Sequence, residues 1–586
     1  MEVLLKTLVS TTNTLYKLNL HITKSKLAII FIAIFSILFI YLIKWNGLSG
    51  DNYRNTIKKE GVGYYQYIAE VLEGDLSNQR ANGTFLLKTN TNRVVNKYTI
   101  GTAVLVSPFI LPVYIAQKIS GTSIDLYSEY YQKAYSIAAL FYLVIGLMAF
   151  RKLLILYNTE AKVIAFSLFT IFAGTNLAYY SLIEPSMSHI YSFSLISIFM
   201  LKIKESTFNF TRQNIFLLAV ILGLIVLVRP VNILIILIIP FLIFDNYKVV
   251  VNQLKANITN IIVAFVIFAA IISLQLFAWK IQTGQFLLWS YSNEGFYFSK
   301  PEILNFLFSF RKGAFVYTPL ILLSTIVFIL SRKIKIGFKL SALFFYTILI
   351  YIMSSWWNWY YGDSFGSRVL VDYMAFFILL FAIAIDKIKL QWQRAIVIIS
   401  SIFIVLNIFQ TYQYYYQIIS PFDMNTEKYF YTFNKYGEEN RNILGGNNDI
   451  IQYHKQKPIM VLEGSIGIID QNSDNAFEYK ISADELMNFE SSFLEFSCNI
   501  NSDKDDLSNV YWQISYSDSI GNKLVESRIK LNEIPIKENG SRTNNYTFRL
   551  PKPINSADYF SIKIENNTYS KFEITDFKIR VYGIIE

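Results

Sequence analysis

Residues 51–75 read DNYRNTIKKEGVGYYQYIAEVLEGD, the first hydrophilic stretch after the apolar run 27–43. That run is a membrane-span candidate, and Lys17, Lys24 and Lys26 before it put its N-terminus on the inner side. The segment KWNGLSGDNY that follows offers no small-residue cleavage site, so an uncleaved first span is expected rather than a signal peptide. The charged stretch then emerges on the outer face. Within it Tyr65, Ile68, Leu72 and Leu76 recur at helical spacing while Glu70, Glu73 and Asp75 take the remaining surface, which predicts an amphipathic helix along the membrane. Glu60 stands just before the Gly61 and Gly63 turn that leads into it. A carboxylate at headgroup depth, Glu60 or Asp51, can deprotonate an acceptor hydroxyl; taken alone, both are ordinary solvated loop charges.

The other 500-odd residues say what the stretch is attached to. Of 586 residues 53% are hydrophobic and the mean hydropathy is +0.36, which marks a polytopic membrane protein. Ten further apolar runs follow, at 134–150, 163–180, 190–200, 215–228, 231–244, 258–279, 315–330, 340–353, 369–385 and 395–408, making eleven with the first. Lys and Arg concentrate in alternate loops (Arg151/Lys152, Lys202/Lys204/Arg212, Lys248/Lys255, Arg332/Lys333/Lys335, Lys387/Lys389/Arg394). The alternation holds throughout only if 99–119, TIGTAVLVSPFILPVYIAQKI, does not cross; its two prolines suit a hairpin or helix in the outer interface. The net charge of +11 is thus an orientation signal, and nucleic-acid binding is discounted. The single cysteine, Cys498, excludes an intrachain disulfide, and His21, His189 and His454 are too scattered for a zinc site. No Walker pattern is present, so cytosolic ATP is not an evident energy source.

Beyond about Thr411 the long apolar runs stop and alternation takes over, as in Val510, Trp512, Ile514, Tyr516 and Phe560, Ile562, Ile564. Turn residues at Gly521 and Asn522 and at Pro551 and Pro553 separate the strands. The expected organisation is a membrane domain over 1–410 with an outer loop 44–98, a linker over 411–456, and a jelly-roll-like β-sandwich over 457–586.

On this topology five pieces face outward: 44–98, the turn EPSMSH at 184–189, the loop 280–313, the turn SSWWNWYYGDSFGSR at 354–368, and the C-terminal part. Trp359 and its aromatic neighbours suit an interfacial belt as well as a binding surface. A belt does not require Gly362, Asp363, Gly366 and Arg368, and Arg368, at the start of a span, is suited to a phosphate through its forked donors. Arg229 before Pro230, and Arg311 with Lys312, stand at the outer ends of spans, where they either snorkel or meet an anion. Glu184 with His189 suits proton handling or a structural helix end.

The order of these segments resembles the GT-C superfamily of lipid-phosphosugar-dependent glycosyltransferases, which includes protein mannosyltransferases and the aminoarabinose transferase of lipid A. EGVGYYQYIAEVLEGDL, with Tyr64 and Tyr65, looks like that family's acidic first loop and Tyr-rich interfacial helix, and NKYTIGTAVLVSPF, with Lys97, resembles its second interfacial segment. EPSMSHIYSF, GFYFSKPEILNFLFSFRKGAFVYTP and WYYGDSFGSR are similar to stretches of uncharacterised bacterial relatives, in the same order. Glu60 replaces the commoner Asp, which leaves Asp51 as a rival, and Asp363 stands where relatives often have Gly. The resemblance implies a multi-pass protein of a bacterial inner membrane, N-terminus cytoplasmic, C-terminal domain extracytoplasmic. It implies a polyprenyl-phosphate sugar donor, a glycan, lipid or protein acceptor, an acidic general base and inversion at the anomeric carbon. The leaving phosphate then needs positive charge, from Arg368 and Arg311, with Lys97 and Arg229 behind them, or from a divalent metal ion that Glu60 and Asp363 would hold. Against this stand a transporter or flippase of a lipid-linked substrate, disfavoured because ionisable residues cluster at the outer ends of spans, and a non-catalytic cell-envelope assembly protein. In the last case Glu60 and Arg368 need not converge.

Overall fold

The structure is a computed structural model. It describes residues 24–45, 56–58, 60–77, 85–88, 93–207, 209–291, 294–421, 424–437, 458–465, 467–469, 477–489, 491–502, 510–530, 541–550, 552–566 and 571–584. The chain divides into two compact units, the first reaching Thr411 and the second beginning at Tyr412.

The first unit is helical. Its long elements are α1 Lys24–Trp45, α2 Glu60–Glu73, α3 Gly101–Ser120, α4 Glu129–Leu156, α5 Ala161–Ala173, α6 His189–Ser206, α7 Arg212–Val228, α8 Pro230–Leu242, α9 Phe244–Ala256, α10 Ile258–Thr283, α11 Pro319–Leu330, α12 Ile336–Ser354, α13 Arg368–Ile385 and α14 Leu390–Tyr415. Among the described residues seven helices (α1, α3, α4, α10, α12, α13, α14) are long and apolar enough to cross a membrane. An eighth is present if α8 and α9, bent by 58°, form one broken span, and α5, α7 and α11 are shorter apolar helices. Each of the eleven apolar runs in the sequence overlaps a helix. α13, MAFFILLFAIAI after its first turn, is apolar on all sides and is buried along its whole length, so the other helices pack around it.

Of the two forms expected for 99–119, a hairpin or a helix, the structure has the helix: α3 is unbroken despite Pro108 and Pro112. Its partners show where it lies. Tyr142 donates to the Leu105 carbonyl at 3.0 Å, Phe109 packs on Phe141 at 5.2 Å, and Tyr131 donates to Gln117 at 2.7 Å. α3 therefore runs antiparallel to the first half of α4, beginning level with its middle.

Tyr64, Tyr65, Tyr67, Ile68 and Ala69 form the buried face of α2. Gly61 permits the close approach, since a Cβ there would overlap Ser186 in the turn before α6. Glu70 is not on the wet face as its spacing implies; it is 2% exposed and takes a hydrogen bond from the Gln66 amide at 3.0 Å. A short hairpin, β1 Leu86–Lys88 with β2 Val94–Asn96, follows and leads into α3.

The second unit carries the strands β3 Met460–Gly464, β4 Gly467–Ile469, β5 Glu478–Ser482, β6 Ser491–Ser502, β7 Val510–Ser517, β8 Lys523–Lys530, β9 Ser541–Leu550, β10 Tyr559–Asn566 and β11 Phe572–Ile584. They form two antiparallel sheets, one in the order β5-β10-β7-β8, the other β3-β11-β6-β9 with β4 also on β11. The period-2 residues fill the space between them: Trp512 is 1% exposed, with Phe496 at 4.5 Å and Phe477 at 5.9 Å, and Phe560, Ile562 and Ile564 are buried beside it. The chain is thus a polytopic helical membrane protein with a C-terminal β-sandwich.

Candidate active site

Four local features place charged side chains around one cavity of the helical unit. Glu60 is the first residue of α2, where the helix N-terminus favours a carboxylate. Arg229 precedes Pro230, which forces it out of helical geometry (φ −148°, ψ 108°) and breaks the chain between α7 and α8. Arg368 opens α13 after Gly366, which has a φ of +59° and where a Cβ would fall 2.6 Å from the Asn176 amide nitrogen, so the position suits a residue without one. The loop before it is pinned from outside: Asn176 donates to the Phe365 carbonyl at 2.8 Å, Lys312 donates to the Ser364 carbonyl, and Ser367 donates to the Lys312 carbonyl at 2.7 Å. Lys97 follows β2.

The cavity measures about 600 Å³. Its polar lining includes Glu60, Tyr64, Lys97, Tyr98, Arg229, Tyr291, Glu294, Asn358 and Arg368, and its apolar lining includes Val228, Val231, Ile233, Leu234, Ile352, Phe298, Trp356 and Trp357. A convergent set of charges in a mostly apolar chamber suits a ligand with an ionic head and a hydrocarbon body.

Every cation on the wall has a carboxylate partner. Arg368 Nη2 donates to Glu60 Oε1, with the Glu60 side chain 25% exposed. Lys97 Nζ pairs with Glu294 and lies 5.0 Å from the Tyr291 ring centre. Arg229 Nε lies 3.3 Å from Asp372 Oδ2, and Asp372 is wholly buried. Asp372 also accepts from His189 Nδ1 and from Asn232 Nδ2, each at 2.8 Å, while Tyr373 donates to Asn232 Oδ1 at 2.9 Å. Ser188 Oγ accepts from both Arg229 Nη1 at 3.3 Å and Tyr64 OH at 3.2 Å, tying the two walls together. Burial, and next the Glu60 charge, pushes the Tyr64 phenol up to about 12, so it serves as a hydrogen-bond donor.

Of the residues singled out in the sequence, Glu60, Tyr64, Lys97, Arg229 and Arg368 are brought together on this wall. Tyr65 turns the other way, donating to the Leu126 carbonyl at 2.6 Å among Tyr127 and Tyr135. The Arg311 guanidinium stacks 3.5 Å over the Tyr360 ring, and Trp359 packs edge-on to the same ring; neither lines the cavity, nor does Asp363. His189 stands behind Arg229 on Asp372 rather than with Glu184, which lies 3.9 Å from Lys58 Nζ. Asp51 lies outside the described residues. Among the described residues no three His, Cys, Asp or Glu side chains form a group able to hold a metal ion, and the Glu60 and Asp363 pairing does not fit one, since Glu60 is held by Arg368 and Asp363 is off the wall.

The sequence reading missed Asp372, which lies one turn past Arg368 at the same end of α13 and so joins the ionisable residues gathered at span ends. This acid stands in VLVDYMAFF, inside α13, and it persists there because three donors neutralise and satisfy it. The signal was available: an acid in an apolar run and an arginine at another span's end are each too costly alone.

No family model matches the sequence, and no curated protein matches it. Solved structures that it is similar to are of the Archaeoglobus fulgidus oligosaccharyltransferase AglB. The apo form is 11% identical with a TM-score of 0.40, over 75% of this chain and 62% of that one. The complex with an inhibitory peptide and a dolichol-phosphate gives 12% and 0.40, over 76% and 62%. The complex with Zn and sulfate gives 14% and 0.35, over 74% and 59%. This chain thus spans about three-fifths of those chains' length, and at such identity and superposition the likeness carries no argument about activity.

Proposed function

We propose that this protein is a membrane glycosyltransferase of GT-C type that moves a sugar from a polyprenyl-phosphate donor to a hydroxyl of a glycan, lipid or protein acceptor at the outer face of a bacterial inner membrane. The observation that carries this is the single cavity joining Glu60 and Arg368 to apolar walls. The hydrocarbon of the donor takes the aliphatic and aromatic wall, and its phosphate takes the guanidinium side, where Arg368, Arg229 and Lys97 stand. Glu60 is the general base. It accepts the acceptor's proton as the acceptor attacks the anomeric carbon from the face opposite the phosphate. The bond to the phosphate oxygen breaks, its electron pair leaves with the lipid phosphate, and configuration inverts. The guanidinium charge stabilises the leaving phosphate, and exclusion of bulk water strengthens that effect. In this reading the β-sandwich lies on the extracytoplasmic side.

The test is a transfer assay with purified protein in proteoliposomes and radiolabelled undecaprenyl-phosphate sugars, scoring released undecaprenyl phosphate. Release that requires the protein supports the assignment; its absence across hexose, pentose and amino-sugar donors, with acceptor extracts supplied, contradicts it.

A further inference from the structure

The cavity's three cations are all neutralised in the free protein, so an anionic head enters only if a carboxylate gives way. Two of the three partners reach the cavity, Glu60 at 25% and Glu294 at 28% exposure, and the third, Asp372, does not. Asp372 is fully buried and fixed by His189 Nδ1 and Asn232 Nδ2 as well as by Arg229. Glu60 is 25% exposed, stands on the longer side chain, and uses only Oε1 on Arg368; Oε2 has no partner among the described residues. Arg368 is equally half-served. Nη2 holds Glu60, while Nε, on the same edge of the guanidinium, is sealed from solvent with no hydrogen-bond partner among the described residues. A phosphate brings two oxygens to such an edge, a carboxylate bonded through one oxygen brings one, and the charge-assisted pair formed at two points is the stronger. Arg368 also stays neutralised throughout the exchange, so no uncompensated buried charge is created.

We propose that the donor's phosphate displaces Glu60 from Arg368, so that the general base is held inactive by the guanidinium until the lipid-linked donor is bound. This rests on the reading of the cavity as a glycosyltransferase site. In the free protein the Glu60 carboxylate is committed to Arg368 and is a poor proton acceptor. In the donor complex the phosphate takes the guanidinium and Glu60 swings to the acceptor. After transfer Glu60 carries the acceptor's proton and Arg368 carries the lipid phosphate; loss of that proton to solvent and departure of the lipid phosphate restore the pair. Donor therefore binds before acceptor, and an acceptor or water in an empty site meets no free base.

Equilibrium binding of undecaprenyl phosphate alone, read by tryptophan fluorescence since Trp356 and Trp357 line the cavity, tests the exchange. Glu60→Gln removes the competing charge and is expected to tighten binding about ten-fold or more over wild type, while Glu294→Gln changes it less. Equal or weaker binding by Glu60→Gln, or tightening confined to Glu294→Gln, overturns the proposal. A wild-type structure with undecaprenyl phosphate provides a measurement free of any folding defect. It is expected to show phosphate oxygens on Arg368 and Glu60 beyond hydrogen-bond reach, and an intact Arg368–Glu60 pair beside the bound lipid contradicts the exchange. Failure of the functional assignment looks different, because there wild-type protein transfers no sugar at all.

Discussion

Two walls of one cavity each carry an arginine paired with a carboxylate, and they are built for opposite ends. On the α7–α13 wall, Arg229 meets an Asp372 that is fully buried and bonded by two further side chains. Where α2 meets the start of α13, Arg368 pairs with a Glu60 that is a quarter exposed and held through one oxygen. The same ionic chemistry thus gives a fixed element in one place and an exchangeable one in the other. What separates them is the number of hydrogen bonds that satisfy the carboxylate and its access to solvent, rather than charge.

The largest effect expected is on stability. Asp372→Asn breaks a buried pair and leaves Arg229 uncompensated, and a loss of about 3–5 kcal/mol is expected in detergent unfolding. Glu60→Gln leaves a buried Arg368 but removes a carboxylate that reaches the cavity and makes one bond, and it is expected to cost less, about 1–3 kcal/mol. Equal losses for the two would erase the distinction between the walls.

A third carboxylate sharpens it: burial, the dominant cause, pushes Glu70 on α2 up to about 7. A raised carboxyl binds its proton more tightly in the folded than in the unfolded chain. Its stabilising contribution is therefore complete below about pH 4.5 and is lost as pH rises through about 7. Hydrogen exchange of α2 is expected to show weakening protection over that window in wild type and a flat profile in Glu70→Gln; identical profiles would count against the burial of Glu70.

A smaller effect separates adjacent tyrosines. Tyr65→Phe loses one buried hydrogen bond to the Leu126 carbonyl, and about 1 kcal/mol of stability is expected to go with it while undecaprenyl phosphate affinity stays unchanged. A change in affinity would place Tyr65 in the site, where only its neighbour Tyr64 stands.

Periodicity carried most of the fold. Runs of apolar residues overlap helices throughout the first unit, and the alternation of Val510 to Tyr516 sets one face of the sandwich. What hydropathy could not give is depth: α3 is as apolar as a span, yet its pairing with Tyr131 and Tyr142 sets it beside only half of α4. Site residues divided along similar lines. Glu60, Arg229 and Arg368 were legible because glycine, proline or a helix start marks each as a charge at a backbone break. Asp372 was missed because no adjacent glycine or proline flags it in the sequence, and its partners lie more than 130 positions away. Arg311 and Asp363 look like site residues in sequence and stand off the wall, since spacing along a loop does not say which side of it faces the cavity.

The central claim is that Glu60 is the base of a sugar transfer. Single-turnover release of undecaprenyl phosphate from an undecaprenyl-phosphate sugar, compared between wild type and a Glu60→Gln/Asp51→Asn double variant of matched stability, tests it most directly. A fall of about 10²–10⁴-fold in the double variant is the expected result; full turnover by that variant contradicts it.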